Sequence, residues 1–304
     1  MADLDLPAPH WSAPIAGIWW RFAASGAIPA RWFQKSLPPL EARSARTGAL
    51  SLEIVSHCWN YSHLLTYQLS SLVLHQPPPN LRIVMTVFHA DGDERTAALL
   101  EHFGQIDCPN VQWNWRKLTR PQLFRRGIGR NLAARETSCD WVWFTDCDLV
   151  LNEDCLTTLA DVLQGRQEAL LFPRIEQTTT LLAEDDPMLV AGAQPQVLPI
   201  AKDNFTSHTR DRATGPLQIT HGDVARECGY CECIDLYQTP SETWCKAHED
   251  RAFRWLLETQ GTPIDLPGVF RIRHVHKGRY TGSKASNRWR SLIRRISSTL
   301  KGEN

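Results

Sequence analysis

From Leu50 onward the chain alternates between two hydrophobic periods. The stretches "LSLEIVSH" (50–57), "LRIVMTVF" (81–88), "VQWNW" (111–115), "DWVWFTD" (140–146) and "EALLFPR" (168–174) are short, apolar and rich in β-branched or aromatic residues, as buried strands are. Between them, "SHLLTYQLSSLVLHQ" (62–76), "DERTAALLEHFG" (93–104), "PQLFRRGIGRNLAARET" (121–137) and "EDCLTTLADVLQ" (153–164) carry apolar residues at helical spacing. The stops agree. Pro77 follows the first helix, and the second has acidic residues at its start and Gly104 at its end. Strands alternating with helices predict an α/β fold, a mostly parallel sheet with helices on both faces.

The flanks read differently. Residues 1–48 are rich in Trp, Ala and Pro, and Pro14 and Pro29 interrupt a helical period, so they are expected to form an N-terminal extension that packs on the main domain or on a partner. Residues 175–215 show no period and are expected to be irregular, the kind of long segment that usually carries function. A helix returns at "AHEDRAFRWLLETQG" (247–261) and a strand at "GVFRIRHVH" (268–276). The predicted division is therefore an extension at 1–48, a main domain at 49–282 and a basic amphipathic helix at 283–304. On that last helix Trp289, Leu292, Ile293, Ile296 and Leu300 share a face ringed by arginines. Such a stripe suits docking on the protein's own core, or lying on an anionic membrane.

Composition changes this picture only locally. The 304 residues carry a net charge of zero, so bulk electrostatics favour neither nucleic acid nor acidic substrates, and no nucleic-acid partner is expected. The basic excess sits at one end, with eight Lys or Arg against one Glu from Lys277 onward. The start "MADLDLPAPH" has no basic n-region and no apolar run is long enough to span a bilayer. A cytoplasmic protein is expected, with peripheral contact at the inner face of the membrane through the last helix. Nine cysteines, an odd number, then read as reduced thiols. Cys228, Cys231, Cys233 and Cys245 have a C-x2-C-x-C-x11-C spacing that suits structural Zn²⁺, or that arises by coincidence within a turn.

The candidate chemistry begins at "WVWFTDCDLVL". Its apolar run ends in Asp146 and Asp148, and a buried carboxylate is costly unless a positive or hydrogen-bonding group meets it. Residues two apart on a strand share a face, and open α/β sheets bind ligands at the carboxyl ends of their strands. Two hard oxygen donors there suit Mg²⁺ or Mn²⁺; the alternative is a strand-end turn, where Asp is common. Cys147, between them, should point into the core. Glu249 and Asp250 open a helix, where carboxylates either complement the dipole or serve as acid–base groups.

The run "RRGIGRNLAARETSCDWVWFTDCDLVL" is followed in order by "GPLQITHGDVARECGYCE" (215–232), "HEDRAFRWLL" and "IRHVHK". Together these resemble GT-A fold glycosyltransferases, family 2 in particular, over approximately Leu50 to Tyr280. The resemblance implies a GT-A (Rossmann-like) fold and a metal-dependent, inverting, non-processive transferase of surface glycan assembly. A sugar would pass from a nucleotide-sugar, UDP being the commonest, to a hydroxyl of a glycan, lipid-linked or protein acceptor. Asp146 and Asp148 would face Mn²⁺ or Mg²⁺ and the donor diphosphate, with His274 as third metal ligand and His276 in reserve. Asp250 would be the general base, with Glu249 beside it orienting the acceptor. Ser56 and His57 would meet the nucleotide from the loop after the first strand. Asp91 would read the base, with Asp93 competing, and Arg126 and Arg130 would contact the donor or lie on a solvated helix face.

Two other classes stay open. A nucleotidyltransferase would want a Gly-rich, basic first loop where this chain has "SHCWNYSH". A catalytically silent sugar-binding or scaffold protein of the same fold would not need Asp146, Asp148, Asp250 and His274 together.

Overall fold

The computed structural model describes residues 13–34, 36–243 and 248–274. The expected helix at 283–304, His276 and Cys245 lie outside these residues. An N-terminal helix α1 (Ala13–Phe22) precedes the first strand. The chain then runs β1 (Leu50–His57), α2 (Ser62–Leu74), β2 (Leu81–His89), α3 (Glu94–Gly104), β3 (Val111–Lys117), α4 (Arg120–Leu123), α5 (Arg126–Glu136) and β4 (Trp141–Phe144). After β4 come β5 (Leu149–Leu151), α6 (Cys155–Val162), β6 (Leu170–Pro173), β7 (Ile175–Thr179), α7 (Pro187–Ala191), β8 (Phe205–Thr209) and β9 (Gln218–His221). The last elements are α8 (Gly222–Cys228), α9 (Asp235–Gln238), α10 (Glu249–Leu256), β10 (Thr262–Ile264) and β11 (Val269–Arg271).

Seven strands form the central sheet, in the order β10-β6-β9-β4-β1-β2-β3. The run β4-β1-β2-β3 is parallel, as the alternation predicts, and β10 is parallel to β6. β9 is inserted antiparallel between β6 and β4. Trp141, Val142, Trp143 and Phe144 of β4 are all buried at the sheet centre. Full burial of such side chains contributes about 1.5–3 kcal/mol each. The indole N–H of Trp143 is not stranded by this, because it donates to the Pro216 carbonyl at 3.0 Å.

Three local expectations are corrected. Pro14 does not break α1; it lies in the first turn, where its missing N–H has no intrahelical partner to lose. The helix expected over 121–137 is two helices, α4 capped by Thr119 with Gln122, and α5 starting afresh at Arg126. The 175–215 segment is irregular only in part, since β7 and β8 pair antiparallel in a second sheet, β5-β11-β7-β8. Its period was hidden because β7 points its acid inward. Glu176 is fully buried and held by Arg210 and by Arg271 at 2.8 Å, while Ile175 is exposed.

The N-terminal extension packs on the main domain. Trp20 lies against Phe33 and Trp255 at 5.2 and 6.2 Å between ring centroids, and the Trp255 indole donates to the Ile28 carbonyl at 2.8 Å. It therefore braces α10. Among the described residues, no helix is long and apolar enough to cross a membrane.

Candidate active site

Because β1, β2 and β4 are parallel, their carboxyl ends share one edge of the sheet, and the candidate residues collect there. The pleat of β4 ends at Phe144, so Asp146 and Asp148 lie in the turn into β5 rather than on one face of a strand. Strand alternation therefore does not set their directions. The turn itself is held from three sides. Leu149 N–H donates to the Asp146 carbonyl at 3.1 Å, the Gln68 amide to the same carbonyl at 3.1 Å, and Ile272 N–H to the Asp148 carbonyl at 2.9 Å. Cys147 is buried in the core, as expected.

Two arginines meet Asp146. Arg126 and Arg130 are four apart on α5, hence on one helix face, and that face looks at the turn. Arg126 pairs with the Asp146 carboxylate through a terminal nitrogen, and its Nε stands 3.3 Å from Glu249 Oε1. Arg130 is only 1% exposed; its Nη2 lies 3.3 Å from Asp146 Oδ1 and donates to the Thr145 and Gly215 carbonyls at 3.1 Å each. For Asp146, then, the compensating charge is supplied by the protein itself, a correction to the expectation that a metal must supply it. Neither arginine lies on a solvated face.

Glu249 and Asp250 begin α10 and differ in access. Glu249 is buried against Arg126, whereas the Asp250 side chain is 32% exposed and has Arg254 Nη1 at 3.4 Å from Oδ2. A buried chain of polar groups links this helix to the aspartate turn. Arg130 Nη1 donates to the Tyr230 hydroxyl at 2.8 Å, that hydroxyl donates to Gln218 Oε1 at 2.8 Å, and Gln218 Nε2 reaches the Asp250 carbonyl at 3.4 Å. Burial pushes the Tyr230 phenol well above its ordinary value, so it keeps its proton and can be donor and acceptor at once. Tyr230, Gln218 and Arg254 escaped the sequence reading. The only signal was the tyrosine of the "GYCE" turn.

The expected nucleotide contacts divide. His57 stacks on Phe88 at 5.0 Å, with both ring nitrogens enclosed, and sits so close to α5 that a Cβ on Gly129 would come within 2.2 Å of Nε2. Burial, then the charges of Arg130 and Arg126, hold its pKa well below the ordinary value, so it is neutral. Ser56 is fully buried and bonded to Gln68 and Thr145, each at 2.6 Å; it faces the interior, a correction to its expected role at the nucleotide. Asp91 is exposed and pairs with Lys117 at 2.5 Å. Its competitor Asp93 is spoken for, accepting from Thr96 N–H at 3.2 Å as the cap of α3 and from Asn60 N–H at 2.5 Å. A cavity of about 600 Å³ opens between these loops, lined by Asn60, His63, Gly92, Asp93, Glu184 and Val190 among others.

His274 is buried, bridged to Leu182 and edge-on to Tyr61 at 5.2 Å. Among the described residues, no three His, Cys, Asp or Glu side chains gather in a metal-holding group, so His274 does not close a three-residue site with the aspartates. Mg²⁺ or Mn²⁺ needs less than that, because one or two carboxylates with substrate phosphates and water suffice. The carboxylate pair, both partly accessible in one turn, fits that requirement. Structural Zn²⁺ needs four thiolate or imidazole ligands, and the described Cys228, Cys231 and Cys233 do not gather. Burial pushes the thiols of Cys228 and Cys233 up to about 11, and that of Cys231 well above its usual value, which opposes the thiolate a zinc site requires. The zinc expectation is not supported.

The chain has no match among curated protein sequences. In fold it is similar to S. aureus TarS 1-349 in complex with UDP-GlcNAc, at 15% identity over 77% of this chain and 61% of that chain, with a TM-score of 0.48. It is also similar to the mannosyltransferase PcManGT from Pyrobaculum calidifontis in complex with GDP-Man and Mn²⁺, at 15% identity over 94% of this chain and 73% of that one, with a TM-score of 0.42. The chain thus spans about 61% of the length of the TarS structure it matches. The family model described as glycosyl transferase family 2 matches residues 54–206, from β1 into β8, a span that holds Asp91, Arg126, Arg130, Asp146 and Asp148. On that match, the chain belongs to glycosyl transferase family 2.

Proposed function

We propose that the protein is a metal-dependent, inverting, non-processive glycosyltransferase, moving a sugar from a nucleotide-sugar donor, UDP-linked in the first instance, to an acceptor hydroxyl. One observation carries the reading: Arg126 touches both Asp146 and Glu249, so one guanidinium links the aspartate turn to the start of α10. A divalent ion held by Asp148 and Asp146 would stabilise the charge that develops on the leaving diphosphate.

The chain's own groups supply the rest. Arg126 and Arg130 fix the Asp146 carboxylate and put two permanent positive charges beside the diphosphate position. Glu249, buried and immobilised by Arg126, is suited to orient the acceptor by fixing the start of α10, where Asp250 follows it. Asp250 is reachable from solvent, and as base it takes the proton of the attacking hydroxyl at a carboxylate oxygen. No nucleophile of the protein is required, so a single displacement inverts the anomeric centre. His57 and Asp91 are assigned to the nucleotide side, Asp91 as the solvent-facing one of the two. The acceptor is a glycan, lipid-linked or protein hydroxyl, and the basic segment 283–304 offers peripheral contact with an anionic membrane at its cytoplasmic face.

A melting-temperature panel of nucleotide-sugars tests this reading. A ligand at a hundred times its Kd stabilises the folded state by about 2.7 kcal/mol. At least one nucleotide-sugar should raise the Tm with Mn²⁺ and lose that effect with chelator. If none does, the donor reading fails; if one does equally well in chelator, the metal reading fails.

A further inference from the structure

Helix α1 is apolar on two opposite sides. On the inner side Trp20 packs on Phe33 and Trp255, and Ala23, just past the end of the helix, is fully buried. The outer side carries Ile18, Trp19 and Phe22, which share a face because Phe22 follows the other two by four and three positions. Ile18 is 70%, Trp19 47% and Phe22 56% exposed, and the Trp19 and Phe22 rings lie 6.3 Å apart. Trp32, in the short turn that follows (Ala30–Trp32), is also 70% exposed. A helix that is apolar all round normally has apolar neighbours all round. Among the described residues, the outer side of α1 is left open to solvent instead. With aromatic side chains of about 150–250 Å² each, it presents apolar surface on the order of a few hundred Å², the size at which a patch marks an interaction site.

Charge decides between the possible occupants. Residues 6–40 contain no Asp or Glu, whereas Arg21 in α1 and Arg31 beside Trp32 are both exposed. A second copy of this face would bring like charges together. The chain's own segment from Lys277 onward is itself basic, with eight Lys or Arg against one Glu, so it does not complement the face either. An anionic lipid surface matches both features. Trp and Phe side chains settle at the boundary between headgroups and acyl chains, and arginines beside them meet the lipid phosphates. We infer that the outer face of α1 docks the protein on an anionic membrane, with Ile18, Trp19 and Phe22 entering the interface. The same extension braces α10 through Trp255, so docking holds the helix of Glu249 and Asp250 near the bilayer, where a lipid-linked acceptor is presented. That consequence rests on the acceptor reading; the docking face does not.

Flotation of the full-length protein with mixed phosphatidylserine–phosphatidylcholine vesicles, compared with phosphatidylcholine alone, tests the inference. The parent should float with the anionic vesicles and not with the neutral ones. Trp19→Gln combined with Phe22→Gln should weaken that binding by roughly tenfold or more, the scale of withdrawing large apolar side chains from an apolar medium. Arg21→Gln and Arg31→Gln should each weaken it about fivefold. All four side chains are exposed, so without lipid the variants should melt like the parent and keep its size by light scattering. No binding to anionic vesicles, equal binding to neutral ones, or parental affinity in the double variant, as segment 283–304 acting alone would give, overturns the proposal. So does a double variant that melts lower or separates into smaller species without lipid, because the face is then covered by the chain itself or by a second copy.

Discussion

Arg126 joins Glu249 to Asp146: Nε stands 3.3 Å from the glutamate while a terminal nitrogen of the same guanidinium holds the aspartate. A planar fork can serve two carboxylates at once, which a lysine cannot do with the same geometry. Glu249 is only 4% exposed, and an unpaired carboxylate at that depth would cost several kcal/mol. The contact therefore both stabilises α10 and sets its acidic end opposite the aspartate turn.

If the metal and base roles are divided as proposed, two substitutions separate binding from chemistry. Asp148→Ala should lose both donor affinity, read by calorimetry, and transfer, read by nucleotide release. Asp250→Asn should keep metal-dependent donor binding while transfer falls about 10²–10⁴-fold, the usual contribution of a positioned base. Normal turnover by Asp250→Asn would move the base role to Glu249 or to a group in the 175–215 segment.

Tyr230→Phe removes one hydroxyl that serves Arg130 and Gln218 together. Both partners are buried and would be left short of a bond, so a loss of about 1–3 kcal/mol is expected by urea denaturation. Arg130 would also hold Asp146 less firmly, and donor affinity should fall in parallel.

Gly129 is where α5 passes closest to His57, and an added Cβ would meet the imidazole at 2.2 Å and Phe88 at 3.0 Å. Gly129→Ala should destabilise the protein by about 1–3 kcal/mol, the usual scale of overpacking. Combining it with His57→Ala should recover part of that loss, a non-additivity that thermal melts of the four proteins would reveal.

Asp223 on α8 is a source of acid sensitivity away from the aspartate turn. Burial alone would raise the Asp223 pKa, but the Ser44 N–H at 2.8 Å and Arg226 at 2.5 Å outweigh it and hold it at about 2. A folded value below the unfolded one means this contribution is present above about pH 3.8 and is lost as pH falls through about 2. With solvent screening it is on the order of 1 kcal/mol. Asp223→Asn should therefore lower stability at neutral pH and narrow its difference from the parent as pH drops across that window. The readout is the urea midpoint at each pH.

The strands and helices from β1 to β4 were legible because hydrophobic period is a local record of which face is buried. The carboxyl-edge position of Asp146 and Asp148 followed from it, as did the helix that opens with Glu249 and Asp250. What the period could not record is polar burial. Glu176 points inward on β7 because Arg210 and Arg271 meet it, so a real strand looked irregular. Ser56 sits at a strand end beside the aspartate turn, yet its hydroxyl is bound inside by Gln68 and Thr145. Asp91 and Asp93 are two residues apart and indistinguishable by type; the Asn60 and Thr96 amides decide that Asp93 is structural. The cysteine spacing satisfied a metal pattern that the folded thiols do not assemble among the described residues. Ion pairs and shared hydrogen bonds depend on distances between elements far apart in the chain. Only packing of α5, the "GYCE" turn and α10 around one sheet edge brings Arg126, Arg130, Tyr230 and Glu249 to bear on Asp146.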